Sequence, residues 1–176
     1  MKLVRLLETR VTQFEMRSQP RLGVPAPETD LQLQLMHVPH IPPSFYAYLY
    51  DKVGHDHHWT SRLLPEKRLA AEIHVPGIAV HVLYANGAPA GWFELDWMRK
   101  PGETRLVHFG ILPDFRGMGL APYLLSEALA AGFAIGNKVM TLETNTLDHP
   151  RALQLYQEAG FIAVSTRLVS TRAIDG

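Results

Sequence analysis

The residues best suited to chemistry lie in the run Phe109-Gly110-Ile111-Leu112-Pro113-Asp114-Phe115-Arg116-Gly117-Met118-Gly119-Leu120-Ala121. Glycines at a strand-to-helix turn free several backbone N–H groups to point at an anion, and the dipole of the following helix favours negative charge by about 0.3–1 kcal/mol. Arg116 adds a planar, charged fork suited to phosphate or pyrophosphate. Pro122 suits an early helical position, where its missing N–H has no intrahelical use. Taken alone, Gly117-Met118-Gly119 makes a tight turn as readily as an anion cradle. A second group, His55-Asp56-His57-His58-Trp59, offers imidazole and carboxylate, the ordinary ligands of zinc or nickel. Adjacent histidines rarely converge on one ion, and neither cysteine nor a helical His-x-x-x-His accompanies them. The cluster therefore reads as a surface loop, and no metal is expected.

The elements that must position these residues follow from hydrophobic periodicity. Alternation predicts strands at Val11–Met16 and Leu31–Met36, separated by a loop with Pro20, Gly23, Pro25 and Pro27. A helix is expected from Ser44, as cap, to Val53, with Phe45, Tyr48, Leu49 and the Lys52 stem on one face and Gly54 as its stop. Helical or irregular chain runs from Trp59 to about Ile73. Strands at Ile78–Tyr84 and Ala90–Trp97 flank Asn86-Gly87, a hairpin signal, and Lys100-Pro101-Gly102 leads to a third strand, Arg105–Leu112, completing an antiparallel meander. The second half alternates: a helix from Leu120 to about Phe133, a strand at Val139–Glu143, a helix from Pro150 to Ala159 stopped at Gly160, and a strand from Phe161 to Val169. Strands first and then a β-α-β-α-β tail describe an α/β (α+β) domain, a mixed sheet with helices on its faces.

Composition bounds the function. The 176 residues have the length of one domain, able to bury roughly 68–70% of the unfolded surface without staples. Lys plus Arg equals Asp plus Glu at 17 each, so the positive field that drives nucleic-acid binding is missing, and no nucleic-acid partner is expected. No apolar run approaches the ~20 residues of a membrane span, and the start of the chain lacks a secretory pattern; a cytoplasmic location without membrane contact is the expectation. The absence of cysteine removes disulfides, thiolate metal sites and cysteine nucleophiles.

The pattern Arg-x-x-Gly-x-Ala at Arg116, Gly119 and Ala121, following a strand and a short connector, is succeeded by Ala152-Leu153-Gln154-Leu155-Tyr156-Gln157-Glu158-Ala159-Gly160-Phe161. This pair resembles the GNAT (GCN5-related) N-acetyltransferases. The segment Phe45–Val53 with Trp59, then Gly91-Trp92-Phe93-Glu94-Leu95-Asp96 and Thr146-Leu147-Asp148-His149-Pro150, are similar to a bacterial branch of that superfamily without settled substrates. The likeness spans most of the chain from about residue 10, with residues 1–40 as an N-terminal strand pair or extension of a single-domain fold whose central sheet is mixed and mostly antiparallel. It implies acetyl-CoA as acyl donor, with its pantetheine arm between the splayed strands Arg105–Leu112 and Val139–Glu143. By the same resemblance Ile111 and Leu112 would offer backbone groups to the arm, and Arg116, Gly117, Met118, Gly119, Leu120 and Ala121 would hold the pyrophosphate. Asn145 or His149 would bond the pantetheine amides. His149 replaces the family's more usual Asn, and alternatively caps the helix beside Pro150.

Tyr156 resembles the family's general acid, which protonates the departing thiolate. A phenol near pKa 10 giving a proton to a thiolate near 8.5 works uphill by roughly 2 kcal/mol, so the transfer must be concerted with C–S cleavage or the site must lower the tyrosine's pKa. For the base, the family frequently has a Glu where this chain has Arg105, and an arginine cannot serve. Glu94, His108 and water relayed from either remain as candidates. Deprotonating a lysine-like amine at pH 7 costs roughly 4.6 kcal/mol and an α-amino group only about 1 kcal/mol. The expected acceptor is therefore a primary amine of a small molecule or peptide that is either of low pKa or carries an anionic group for Arg105. A CoA-binding sensor without catalysis is the alternative. A dinucleotide-binding oxidoreductase is opposed by Pro122 at the third glycine position and by too few βαβ units. Acyl-chain preference and a homodimer stay open.

Overall fold

A computed structural model describes residues 4–174. In chain order the elements are β1 (Leu6–Met16), β2 (Leu33–His37), α1 (Pro43–Gly54), α2 (Glu66–Ile73), β3 (Ile78–Ala85), β4 (Ala88–Asp96), β5 (Glu103–Ile111), α3 (Leu120–Ala134), β6 (Val139–Asn145), α4 (Ala152–Ala159) and β7 (Ile162–Arg172). The strands form one sheet in the order β2-β3-β4-β5-β6-β1-β7. Every neighbouring pair is antiparallel except β5 and β6, so the expected mixed, mostly antiparallel sheet is present. Leu120, Leu124, Leu125, Ala128 and Leu129 of α3 pack with Phe93, Leu95, Leu106 and Met140 in one core. On the other face Tyr46, Leu49, Tyr50 and Val53 of α1 and Leu69 and Ile73 of α2 meet Val80, Val82 and Trp92 in a second. No helix among the described residues is long and apolar enough to cross a membrane.

Two features depart from the sequence-based expectation. The first is the face that α1 buries. Its sealed positions are Tyr46, Leu49, Tyr50 and Val53: of the expected face Leu49 is buried, whereas Phe45, Tyr48 and Lys52 give way to Tyr46, Tyr50 and Val53, and Tyr48 is 44% exposed. The phase is set by Trp92 of β4, which meets the Tyr46 ring edge-on at 5.3 Å, and by polar partners waiting beneath both tyrosine hydroxyls. Ser44 is not the cap either: Pro42 precedes the helix, Pro43 opens it, and no side chain caps it.

The second is the place of the N-terminal strands, which do not pair with each other. β2 lies at one edge of the sheet beside β3, whereas β1 is inserted between β6 and β7. It pairs with β6 from Val11↔Asn145 to Met16↔Met140, and with β7 from Leu6↔Arg172 to Glu15↔Ile162. The fully buried Phe14 and nearly buried Met16 require core neighbours, and in this slot they join Met140 and Leu142. The proline-bearing connection from β1 to β2 is tied to α3 by the Val24 N–H, which donates to Ser126 Oγ at 2.8 Å.

What matters most for function is where pairing stops. β5 and β6 are hydrogen-bonded only from Glu103↔Val139 to Leu106↔Leu142. A register shift against β4 at Glu94/Leu95 leaves Val107 unmatched at that point. The extra residue bends β5 away from its parallel neighbour. Val107–Ile111 and Glu143–Asn145 then diverge and open a cleft in the sheet.

Because β1 supplies both neighbours of this half of the sheet, Phe14→Ala is expected to lower unfolding free energy by roughly 3–5 kcal/mol in equilibrium guanidinium denaturation. A loss under about 1 kcal/mol would show β1 to be peripheral.

Candidate active site

The cleft opens into a cavity of about 1070 Å³ bordered by β5, β6, the start of α3, α4 and the segment after α1. One end is the glycine turn. Gly117 and Gly119 take left-handed φ values of 77° and 74°, which side-chain-bearing residues rarely adopt, and Gly119 occupies the uncapped N-terminal position of α3. The first N–H groups of α3 consequently lack a side-chain partner, as an anion cradle requires. Arg116, Gly117, Gly119, Leu120 and Ala121 all border the cavity. The Arg116 Nε donates to the Ile111 carbonyl at 3.3 Å, which ties the cradle to the end of β5.

A buried polar cluster forms another wall. Glu94 of β4 is fully buried, and the Tyr46 hydroxyl donates to its Oε1. His108 of β5, 9% exposed and on the cavity wall, places Nδ1 at 3.1 Å from the same oxygen and 3.4 Å from the Tyr46 hydroxyl. Arg62 completes the set: Nη2 donates to Glu94 Oε2 at 2.9 Å, Nε to the Tyr46 oxygen at 3.2 Å and Nη1 to Glu72 Oε2 at 2.6 Å. Burial alone would raise the Glu94 carboxyl, but the hydrogen bond and charge of His108, the Arg62 charge and the Tyr46 hydroxyl together bring it down to about 2. Burial, and then the Glu94 charge, push the Tyr46 phenol well up, so it remains a donor. In the neutral imidazole, an ionised Glu94 accepting from Nδ1–H selects the tautomer with the lone pair on Nε2. That is the arrangement of a general base held by a carboxylate.

Trp59 closes this wall. Its ring sits 5.2 Å from His108 and 5.6 Å from Tyr50. It packs directly on Gly54, where any Cβ would lie 2.4 Å from the indole. The indole N–H donates to Asp148 Oδ1 at 3.0 Å, and Asp148 Oδ2 accepts from Thr144 Oγ1 at 2.7 Å and the Asn145 N–H at 2.9 Å. One carboxylate thus anchors the loop after β6 to the segment after α1. Tyr156, on α4, borders the cavity between Phe109 and Phe161. Burial and then the Asp148 charge raise its phenol. The site does not lower this pKa, and the phenol is held firmly protonated.

The remaining sequence-predicted residues divide. Ile111, Asn145 and His149 border the cavity; Leu112, Met118 and Glu94 do not. Leu112 is buried beneath α1, its N–H donates to the Ala90 carbonyl and its own carbonyl accepts from Phe115, so its backbone is already engaged. Asn145 Oδ1 accepts from the Leu147 N–H at 2.8 Å, and His149 Nδ1 accepts from the Arg151 N–H at 3.2 Å in the turn ahead of α4, which itself has no side-chain cap, so His149 is not the helix cap. Arg105 is engaged as well, with Nη2 3.3 Å from Glu143 Oε2, and Arg167 grips the same carboxylate through both terminal nitrogens. The histidine cluster diverges: His55 faces Asp51, His57 Nδ1 meets the Leu147 carbonyl, and His58 Nδ1 accepts from the Ile174 N–H. Sequence reasoning missed Tyr46 and Arg62. The spacing Tyr46, Leu49, Tyr50, Val53 contained the first signal; Arg62 sits in irregular chain and had none.

The family model described as "Acetyltransferase (GNAT) family" matches residues 42–161. The chain belongs to the GNAT acetyltransferase family. Solved structures agree on the fold. A GCN5-related N-acetyltransferase from Sphaerobacter thermophilus is 16% identical with a TM-score of 0.68 over 95% of this chain and 53% of its own. A tandem GNAT protein from the clavulanic acid biosynthesis pathway is 15% identical, TM-score 0.65, over 95% and 54%. An aminoglycoside N-acetyltransferase in complex with CoA is 17% identical, TM-score 0.57, over 80% and 94%. This GNAT chain spans about half to two thirds of the first structures it matches. No curated protein matches it.

The depressed Glu94 carboxyl has a consequence for acid stability. A folded pKa of about 2 against the ordinary 4.5 contributes stability that is complete above about pH 4.5 and lost as pH falls toward 2, on the order of 3 kcal/mol. Glu94→Gln is expected to be less stable at pH 7 and to lose less stability across that acid window, as read by urea unfolding at several pH values. Parallel curves for the two proteins would contradict the assignment.

Proposed function

We propose that this GNAT protein transfers an acetyl group from acetyl-CoA to a primary amine of a small molecule or peptide by direct attack, with His108 as base and Tyr156 as acid. Family membership supports acyl transfer as the general chemistry. The observation that carries the finer reading is the Glu94–His108 pair on the wall of the cleft between β5 and β6, with the glycine turn at one end and Tyr156 across from it. The backbone of Val107–Gly110, unpaired with β6 along the gap, suits an extended amide-bearing arm, and the start of α3 suits its pyrophosphate. Glu94 acts on His108, and His108 is the group that meets the cavity.

In the proposed step His108 Nε2 takes a proton from the acceptor amine as its nitrogen bonds to the thioester carbonyl carbon. The C–S bond breaks, and Tyr156 delivers its proton to the sulfur as negative charge develops there; solvent later restores the phenol and removes the imidazole proton. Positioning of the two reactants carries most of the acceleration, and no covalent enzyme intermediate is needed, in keeping with a chain that contains no cysteine. On the cavity wall Arg105 pairs with Glu143, a carboxylate that Arg167 grips from outside the cavity. Arg105 favours an acceptor bearing an anionic group beside its amine. A cytoplasmic setting belongs to the same reading.

Thermal unfolding with acetyl-CoA at a hundredfold excess over its Kd is expected to raise Tm by very roughly 5–10 °C, with no rise from NAD or NADP. His108→Gln is expected to keep that rise and to lower amine-dependent CoA release by about 10²–10⁴-fold. A rise with no CoA release for any amine would favour the sensor; no rise would overturn the reading.

A further inference from the structure

Arg62 lies outside the cavity, yet it is the sole described arginine or lysine that hydrogen-bonds the buried carboxylate of Glu94. It sits on the segment between the turn at His55–His57 and α2, next to Thr60 and Ser61, which do border the cavity. Its side chain is only 14% exposed, and the Tyr50 hydroxyl accepts from its backbone N–H at 3.2 Å. Burial opposes its charge, but Glu94 and Tyr46 together hold the guanidinium protonated more firmly than usual.

A carboxylate sealed from water must be balanced by a positive charge. Two groups can provide one here, Arg62 and a protonated His108. The groups that face His108 are Glu94 from β4, Tyr46 and Tyr50 from α1, and Trp59 and Trp92 as uncharged rings. The groups that face Arg62 are Glu94, Tyr46, Tyr50 and, from α2, Glu72. The buried pair Glu94–Arg62 is neutral by itself, and Glu72 draws on the same guanidinium from its more exposed side. Without Arg62, Glu94 and His108 reach neutrality only by holding one more proton.

We propose that Arg62 is a positioning residue for His108: it holds the second oxygen of the buried Glu94 and supplies positive charge there, and so reduces the share of that charge the imidazole must supply. This rests on His108 being the base only for its effect on rate; its effect on His108 itself does not. The outer partner, Glu72, is 42% exposed and shares the guanidinium with Glu94. Removing the Glu72 charge leaves more of the Arg62 charge for Glu94 and acts in the opposite direction.

The test is the imidazole titration of His108 by NMR in ¹³C/¹⁵N-histidine-labelled protein, assigned by loss of its signal in His108→Gln, alongside the pH profile of kcat/KM from CoA release. In Arg62→Met the His108 titration and the acid limb of kcat/KM are both expected to move up by about one pH unit, and Arg62→Lys to restore them. In Glu72→Gln both are expected to move down by a fraction of a unit, which keeps the idea testable if Arg62→Met does not fold. A His108 titration unmoved in the folded variants, with or without lower kcat, would overturn the proposal and leave Arg62 a structural residue. A titration that moves while the kcat/KM limb stays put would support Arg62's role and reject His108 as base.

Discussion

The rest of this structure is arranged around one buried charge. Glu94 sits fully enclosed in the interior strand β4, and the groups that make an ionised carboxylate tolerable there come from three different parts of the chain: Tyr46 from α1, Arg62 from the segment before α2, and His108 from β5. The phase of α1 follows from the need to bring Tyr46 beneath the sheet face, and that phase also buries Tyr50, whose hydroxyl steadies the backbone of Arg62. Removing one partner leaves an uncompensated charge in a low-dielectric setting, and such losses are among the most costly single changes a core sustains.

The second organising constraint is geometric. A parallel pair flanked by antiparallel strands can part only if each strand keeps its outer neighbour, and here both do: β5 stays bonded to β4, and β6 to β1. The insertion of β1 between β6 and β7 therefore matters beyond its hydrophobic contribution. It satisfies the outer edge of β6 up to Asn145, whose N–H donates to the Asp148 carboxylate that holds Trp59. The N-terminal strand, far from the chemistry in sequence, is what allows a hole in the sheet without a frayed strand around it.

How much of this was legible in the sequence follows from what local patterns encode. Strand alternation, the Asn86-Gly87 turn and the Gly117/Gly119 turn report short-range geometry, and all were readable. The partner of β1 was not, because alternation says that Phe14 and Met16 face a core and nothing about which strands supply it. The phase of α1 was ambiguous for a related reason: Tyr48 and Tyr50 look equally apolar as letters, and only the position of Trp92 and Glu94 beneath the helix separates them. Glu94 and His108 were visible as alternative bases. That they form one unit depends on the β4–β5 register, which pairs them directly across the strands next to a bulge no periodicity announces.

The two protons of the proposed reaction lie at opposite ends of the energetic scale, and the environments of the residues reflect it. His108 must accept a proton from an amine and release it again, so its surroundings keep a neighbouring negative charge balanced by Arg62. Tyr156 must keep its proton until sulfur carries charge, and its enclosure with the nearby charge of Asp148 holds that proton more tightly than water would. A phenol so placed is a poor acid toward anything but a strongly developing anion beside it. In the proposed reaction proton transfer and C–S cleavage therefore go together, because cleavage to a solvent-free thiolate is unfavourable without protonation. Asp148 takes part in both ends, raising the proton affinity of Tyr156 while anchoring the Trp59 that packs against His108.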